Sequence, residues 1–402
     1  MYYLGKEMVL ESRKTVAFLI GRVDCNDGVA SHCETLIRGL KTLGWRVILI
    51  TGAISYDESS RRRFDALTEL SEDWIVLDRM QSILPSVVNI FKIKKIVKQY
   101  KISLFHAHGY SMLGLAYIFK IAIGLKCVAT FHPSIHGTDP KLLKQSLSHS
   151  QLIKYQIYLR LFLPNFFIAL SSDIERFLIQ DLGFNKTRVC KVLAGIDTKY
   201  FRFPSPEERQ RAREKFGFEK EDLVCTLVGR LNWNKGHDVL IDAIKHVRKV
   251  RPETSFKCLF VGSGNQEKQI KEYALSSNDA AQYFLFWGYV EELREVYWSS
   301  NIFILPSRLE GFALVVVEAM SCGNIPIRTP GGGASDQIED GINGFIIPFN
   351  SVDALSSRLI QLAENPALGS QIVENAVKSS SKKFTLESMT LGTIEVYEAA
   401  IK

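Results

Sequence analysis

Apolar residues along the chain gather in short runs, separated by longer stretches in which apolar and polar positions mix. Thr15–Ile20, Trp45–Thr51, Trp74–Leu77, Ile102–His106, Lys126–Phe131, Phe166–Leu170 and Arg188–Leu193 are too continuous for a half-exposed strand. They read as strands covered on both faces. Between most of them the chain is long enough for a helix. In Ala30–Leu43 the spacing puts Leu36, Ile37, Leu40 and Leu43 on one face. Strand and helix alternating in this way predict a parallel sheet with helices on both sides. The alternation then begins again, with strands expected at Leu223–Val228, Phe256–Val261, Tyr283–Phe286, Ile302–Leu305, Ile325–Arg328 and Gly344–Ile347.

A chain of 402 residues exceeds what one hydrophobic core usually serves. The segment between the two sets of strands is polar, charged and holds two prolines, and it places a linker near Phe203–Pro206. The predicted fold class is therefore α/β, with two doubly wound, Rossmann-like domains facing across a cleft. They span 1–204 and 205–385, and a C-terminal helix at about 386–402 is expected to pack back on the first. In such sheets ligands bind beyond the carboxyl ends of the strands, so functional residues are sought just after strands.

Composition narrows the class. With 46% hydrophobic and 23% charged residues the chain is an ordinary globular one. The most apolar segment, Ser111–Leu125, is short and contains Lys120, so it reads as a buried helix and not as a membrane span. The first residues lack the apolar core and cleavage site of a signal peptide. Seven cysteines without a CxxC pair, several within apolar runs, point to buried free thiols in a reducing, cytoplasmic compartment. The net charge of +7 is uneven, at +11 over residues 1–204 and −4 over the rest. One domain thus suits an anionic partner. No nucleic-acid motif accompanies it, which leaves a membrane surface or a phosphorylated acceptor.

Two stretches carry the chemistry. Gly229-Arg230-Leu231-Asn232-Trp233-Asn234-Lys235-Gly236 lies between an expected strand and an expected helix, His237–Val250. Arg230 and Lys235 can converge on one anion beside a helix N-terminus, where a diphosphate would be favoured. Alone, the stretch reads equally well as a solvated loop with two surface cations. Farther on, Glu310 and Glu318 stand eight apart across a loop-to-helix junction that follows Ile302–Leu305. Among Val315 and Val316, Glu318 needs hydrogen-bond donors, because an unpaired buried carboxylate is costly. Sugar or ribose hydroxyls would supply them; the other reading is a structural ion pair. The amides of Gly311, Phe312 and Ala313 open the helix and suit phosphate.

Taken together, GRLNWNKGHDVLIDA, EGFALVVVEAMSCGNIPI and TPGGGASDQIEDGINGFIIP resemble the family-4 retaining glycosyltransferases, which have the GT-B fold. In the first half, Asn26-Asp27-Gly28-Val29 resembles the family's glycine-rich loop. His106-Ala107-His108-Gly109 and Ala129-Thr130-Phe131-His132 resemble its strand-end histidines. Ala194-Gly195-Ile196-Asp197 and Phe201 resemble its hinge-side element.

The resemblance implies a nucleotide-sugar donor, UDP-linked by default, and a glycan, lipid-linked or small-molecule acceptor. It gives Arg230 and Lys235 the donor diphosphate, Glu318 the ribose, and Glu310 the transferred sugar. His132 would face the reacting centre and Gly28 would let backbone approach the phosphate. Gly288, Tyr289 and Val290 would line the base pocket, with Gly311, Phe312, Ala313, Leu314 and Val315 against the donor. No cofactor and no metal is implied, and the two cations would stand in for a metal on the leaving group. Two positions depart from the family pattern: Asp27 precedes the single Gly28, and Asp336 stands where glutamate is common.

Three further readings bound the function. His106 reads as structural, His108 is open, and Arg61-Arg62-Arg63 reads as a solvated helix face. Gly262-Ser263-Gly264 lacks the third glycine of a dinucleotide fingerprint and reads as a tight turn beside the donor site. Other chemistry on the same scaffold would be a glycoside phosphorylase, a nucleotide-sugar epimerase or a non-catalytic binding subunit. The last should have lost a cation or carboxylate of the two stretches, and all four are present. Finally, Pro85–Tyr100 predicts a helix with Ile90, Ile93 and Val97 on its packing stripe. Lys92, Lys94, Lys95 and Lys98 share the remaining surface with Val87, Val88 and Phe91, the signature of a helix lying on an anionic membrane. Lys141–Phe167 adds Lys141, Lys144, Lys154 and Arg160 with no acidic residue. On that reading the protein would lie at the inner face of the membrane, within reach of a lipid-linked acceptor; the other reading is that those apolar residues pack under neighbouring helices and leave a soluble basic face.

Overall fold

The computed structural model describes residues 14–21, 23, 28–52, 58–77, 87–109, 112–132, 157 and 160–402. Asn26, Asp27, Lys141, Lys144 and Lys154 lie outside them. Contacts divide the described chain into two compact units. The first runs to Phe131 and adds Ile157–Ile168 and Thr390–Lys402; the second holds His132 and Ala169–Met389.

Both sheets are α/β and wound in two directions. The first has the strands β1 (Thr15–Ile20), β2 (Arg46–Thr51), β3 (Asp73–Val76), β4 (Ile102–His108), β5 (Lys126–Phe131), β6 (Phe166–Ala169) and β7 (Val189–Lys191), in the order β3-β2-β1-β4-β5-β6-β7. The pairings from β3 to β5 are all parallel. In the second, β8 (Leu223–Val228), β9 (Phe256–Val261), β10 (Phe284–Gly288), β11 (Ile302–Leu305), β12 (Ile325–Arg328) and β13 (Phe345–Ile346) run in the order β10-β9-β8-β11-β12-β13. Every strand predicted from apolar runs is present, with ends shifted by a few residues.

Side-chain alternation explains the double covering. Along β8, Cys225 and Leu227 enter one core cluster with the helix His237–Val250, while Val224 and Val228 enter another with the helices Arg294–Ser299 and Leu314–Ser321. Ile302 and Ile304 of β11 likewise face the first cluster, and Phe303 and Leu305 the second. Successive strand residues point to opposite faces, so a sheet packed on both sides must be apolar throughout.

Local chemistry shifts some expectations. The first helix is Gly28–Thr42, and it buries Ala30, Cys33, Leu36, Ile37 and Leu40. Leu43, expected on that face, is 41% exposed, because the helix has ended in a turn completed by Gly44 at φ +80°. The polar stretch after the linker is a helix, Pro206–Phe216. A capping box starts it: the Ser205 hydroxyl accepts from the Glu208 amide, and the Glu208 carboxylate accepts from the Ser205 amide. The apolar segment near residue 120 forms Leu113–Ile123, buried on one face. Six described cysteines are free and five of them are buried; burial pushes the Cys127 thiol up to about 12.

Candidate active site

In the second sheet the chain steps outward from β8 through β9 to β10, then returns beside β8 as β11. Connections from β8 and β11 therefore leave toward opposite faces of the sheet, and the carboxyl ends at such a switch point are where sheets of this kind bind ligands. Residues 229–236 leave β8 there and residues 306–313 leave β11. Lys235 closes a single 3-10 turn, Trp233–Lys235, and its amide bonds to the Asn232 carbonyl at 3.1 Å. Gly236 follows at φ +73°, and a Cβ there would lie 2.2 Å from the Pro306 carbonyl oxygen, so only glycine lets the two connections meet.

The Lys235 ammonium donates to Glu310 Oε1 at 2.6 Å. The Glu310 side chain is 8% exposed and that of Lys235 25% exposed. The lysine stem passes over Gly229, whose Cβ would sit 3.7 Å from it. Arg230 is exposed at the mouth of the same loop. The side chains assigned to phosphate and to sugar thus meet directly, and the structural ion pair considered for Glu318 belongs to Glu310. Glu318 instead accepts a hydrogen bond from the hydroxyl of the fully buried Tyr297, at 2.7 Å on Oε2. That bond aims the carboxylate.

Three supports were invisible in the linear pattern. Arg308 grips Asp238 with both ends of its guanidinium, at 2.8 and 2.6 Å, and donates through Nε to Asn350 at 2.6 Å. It also donates to the Trp233 carbonyl, and its amide bonds to the Asn234 carbonyl at 2.7 Å. The second support is Arg328, the largest fully buried side chain among the described residues. It donates to the carbonyls of Gly331 at 2.9 Å and Gly332 at 3.2 Å and to the Gln337 amide oxygen. Gln337 in turn donates to the Ala313 carbonyl at 3.0 Å. Burial pulls the Arg328 guanidinium down to about 10. The third is a reciprocal pair of caps. Asp336 accepts from the Ser172 amide and hydroxyl at 2.7 and 2.6 Å, and Asp173 accepts from the Gly333 amide at 3.0 Å. Asp336, one of the two departures from the family pattern, is thereby occupied. An arginine within an apolar strand run was the one local signal for Arg328.

His237 opens the helix behind Lys235. Its Nδ1–H donates to the Asn232 carbonyl at 2.9 Å, and burial holds its pKa down at about 4. The Gly262-Ser263-Gly264 turn packs on the first loop: the Leu231 amide bonds to the Ser263 carbonyl at 3.0 Å and the Gly262 amide to the Gly288 carbonyl at 2.7 Å. Tyr289 and Val290 follow on the surface and half-buried. In the first unit, Gly28 is the exposed first residue of its helix. His106 is held on both ring nitrogens, by the Tyr397 hydroxyl at 2.5 Å and the Thr130 hydroxyl at 2.7 Å, which gives it a structural role. Burial pushes its pKa well below 6.5. His132 follows β5 and is half-buried.

The family described as Glycosyl transferases group 1 matches residues 208–379, and Glycosyltransferase Family 4 matches residues 26–200. The chain belongs to the group 1 glycosyltransferases. This glycosyltransferase is 26% identical to an uncharacterised glycosyltransferase of Methanocaldococcus jannaschii, over 92% of the chain and 94% of that protein. It is 32% identical to a GDP-mannose-dependent phosphatidylinositol monomannoside mannosyltransferase of Corynebacterium glutamicum, over 43% of the chain and 46% of that protein. Two solved structures share its GT-B fold. A Rickettsia africae glycosyltransferase superposes with a TM-score of 0.79 at 20% identity, over 98% of this chain and 100% of that one. Anabaena HepE, solved with UDP and glucose, gives 0.78 at 18%, over 96% and 100%.

Proposed function

We propose that this glycosyltransferase transfers a sugar from a UDP-sugar to a glycan, lipid-linked or small-molecule acceptor with retention at the anomeric carbon. The observation that carries the proposal is the meeting of Lys235 and Glu310 at the switch point of the second sheet, on the loop that also carries Arg230. Transfer breaks the bond from the anomeric carbon to the phosphate oxygen and leaves negative charge on the diphosphate. Arg230 and Lys235 stabilise that charge. The acceptor oxygen bonds the same carbon on the same face, and its proton passes to the departing phosphate oxygen. Glu310 accepts from hydroxyls of the transferred sugar, and Glu318, aimed by Tyr297, from the ribose. Anabaena HepE, which has the same fold, binds UDP-glucose, and that supports UDP as the carrier. The roles of Gly28 and His132 rest on the family resemblance.

A panel of nucleotide sugars, read by thermal stabilisation, tests the donor. Binding stabilises the fold by RT ln(1 + [L]/Kd), about 2.7 kcal/mol at roughly a hundred times Kd. The anomer of the product, followed by NMR, tests retention, and turnover is expected to continue in EDTA. Stabilisation by no nucleotide sugar, or an inverted product, would overturn the reading.

Helix Val87–Tyr100 supports a lipid-facing acceptor. Ile93 is buried, Lys92, Lys94, Lys95 and Lys98 are exposed, and Phe91 is 67% exposed among them. No helix among the described residues is long and apolar enough to cross a membrane, so the contact would be a peripheral one.

A further inference from the structure

We propose that Arg308 is a positioning residue for the phosphate loop, fixing the backbone that carries Lys235; its functional consequence rests on the reading of Lys235 given above. The loop 229–236 contains no regular helix or strand beyond one 3-10 turn. A lysine on so short a turn has a long flexible stem, and its charge stays put only if the backbone beneath it does. Arg308 supplies that restraint from the neighbouring connection. Its guanidinium donates to two anchors that do not belong to the loop, the Asn350 side-chain oxygen through Nε and the Asp238 carboxylate through both terminal nitrogens. One of those nitrogens also reaches the Trp233 carbonyl, and the Arg308 amide holds the Asn234 carbonyl. Two consecutive carbonyls of the turn are thus tied to β11's connection immediately before Lys235.

Only arginine can do this. The planar fork holds Asp238 with two parallel bonds and keeps Nε for a third direction, whereas an ammonium is a point charge. The Arg308 side chain is 16% exposed and that of Asp238 31% exposed, so solvent screens the pair incompletely. Arg308 has no other evident duty: its charge is consumed by Asp238, and the phosphate role is filled by Arg230 and Lys235. It therefore acts through Lys235 and not on the donor.

The test uses Arg308→Met in the 402-residue chain, read in two ways. Hydrogen exchange should speed up at the amides of Trp233, Lys235 and Gly236, each of which is bonded within or to the loop, at 2.8, 3.1 and 3.0 Å. The amides of β8 should stay as protected as before. Calorimetry with UDP should show affinity lower on the order of tenfold, the usual cost of freeing a side chain that holds a ligand. In a Lys235→Met/Glu310→Gln background the same substitution should change UDP affinity hardly at all, because effects through one shared group do not add. Arg308→Lys should recover only part of both losses. Unchanged exchange in the loop would overturn the proposal, and so would an equal, additive loss of affinity in both backgrounds. If exchange speeds up while the Lys235→Met/Glu310→Gln background itself binds UDP normally, Arg308 still positions the loop and the phosphate reading of Lys235 is what fails.

Discussion

The buried Glu310 is paired with a half-buried Lys235, and that changes what either substitution means. Lys235→Ala removes the proposed phosphate ligand and also leaves Glu310 without its hydrogen-bonded cation. Breaking a buried pair from one side costs on the order of 3 kcal/mol, so the variant should lose both rate and melting temperature. Lys235→Met combined with Glu310→Gln should recover most of the stability while turnover stays down roughly a hundredfold or more. If that double variant turns over normally, Lys235 has no part in the chemistry. The two glutamates should separate by ligand. Glu318→Gln is expected to weaken UDP in calorimetry, since its carboxylate is aimed by Tyr297, and Glu310→Gln to spare UDP and damage transfer. His237 adds a pH dependence. Its pKa is about 4 in the fold against 6.5 in the unfolded chain, because burial disfavours the charged ring. Between these values the unfolded chain binds a proton that the fold refuses, so stability falls as pH drops through the window and levels off below it. Denaturant melts at pH 7 and pH 4.5 should show His237→Asn losing less than the parent, by on the order of 2 kcal/mol.

Elements differ in how local their causes are. The Pro206–Phe216 helix is written in its first residues: Ser205 at the cap, proline at the first turn and Glu208 closing the box. Its end, Gly217, is also local, with φ +73° and open space around its Cβ position. Gly236 has the same φ for a different reason, the Pro306 carbonyl 2.2 Å from where its Cβ would be. The contrast is testable. Gly217→Ala should cost about 1 kcal/mol, the backbone penalty alone. Gly236→Ala should cost more and also weaken UDP, because the 306–313 connection must move. Equal melting temperatures for the two variants would show that the connections are not in firm contact. The first helix illustrates the opposite limit. Its stripe was legible, but the exposure of Leu43 depended on the turn at Gly44 ending the helix one residue earlier than apolar spacing suggested.

At the scale of the whole molecule the charge is lopsided, +11 over residues 1–204 and −4 over the remainder, and the exposed lysines of Val87–Tyr100 belong to the basic half. Each lysine near an anionic leaflet contributes on the order of 1 kcal/mol, so four support reversible attachment. Co-sedimentation at low salt is expected with liposomes containing anionic lipid and not with neutral ones, and Lys92, Lys94, Lys95 and Lys98 replaced together by Ser should release the protein. Equal recovery in the supernatant with both liposomes would remove the membrane contact and leave a soluble acceptor. The sequence by itself determined the strands and the loops that follow them, because apolar runs, caps and glycine turns act over a few residues. It also named Arg230, Lys235, Glu310 and Glu318. Only the tertiary structure decided that Lys235 meets Glu310, that Tyr297 aims Glu318, and that Arg308 binds Asp238. Lys235 and Glu310 are 75 residues apart in the chain, and they touch because β11 returns to pair with β8 after two strands have been laid on its other side. That order is set by packing of the whole sheet, which no local window of residues contains.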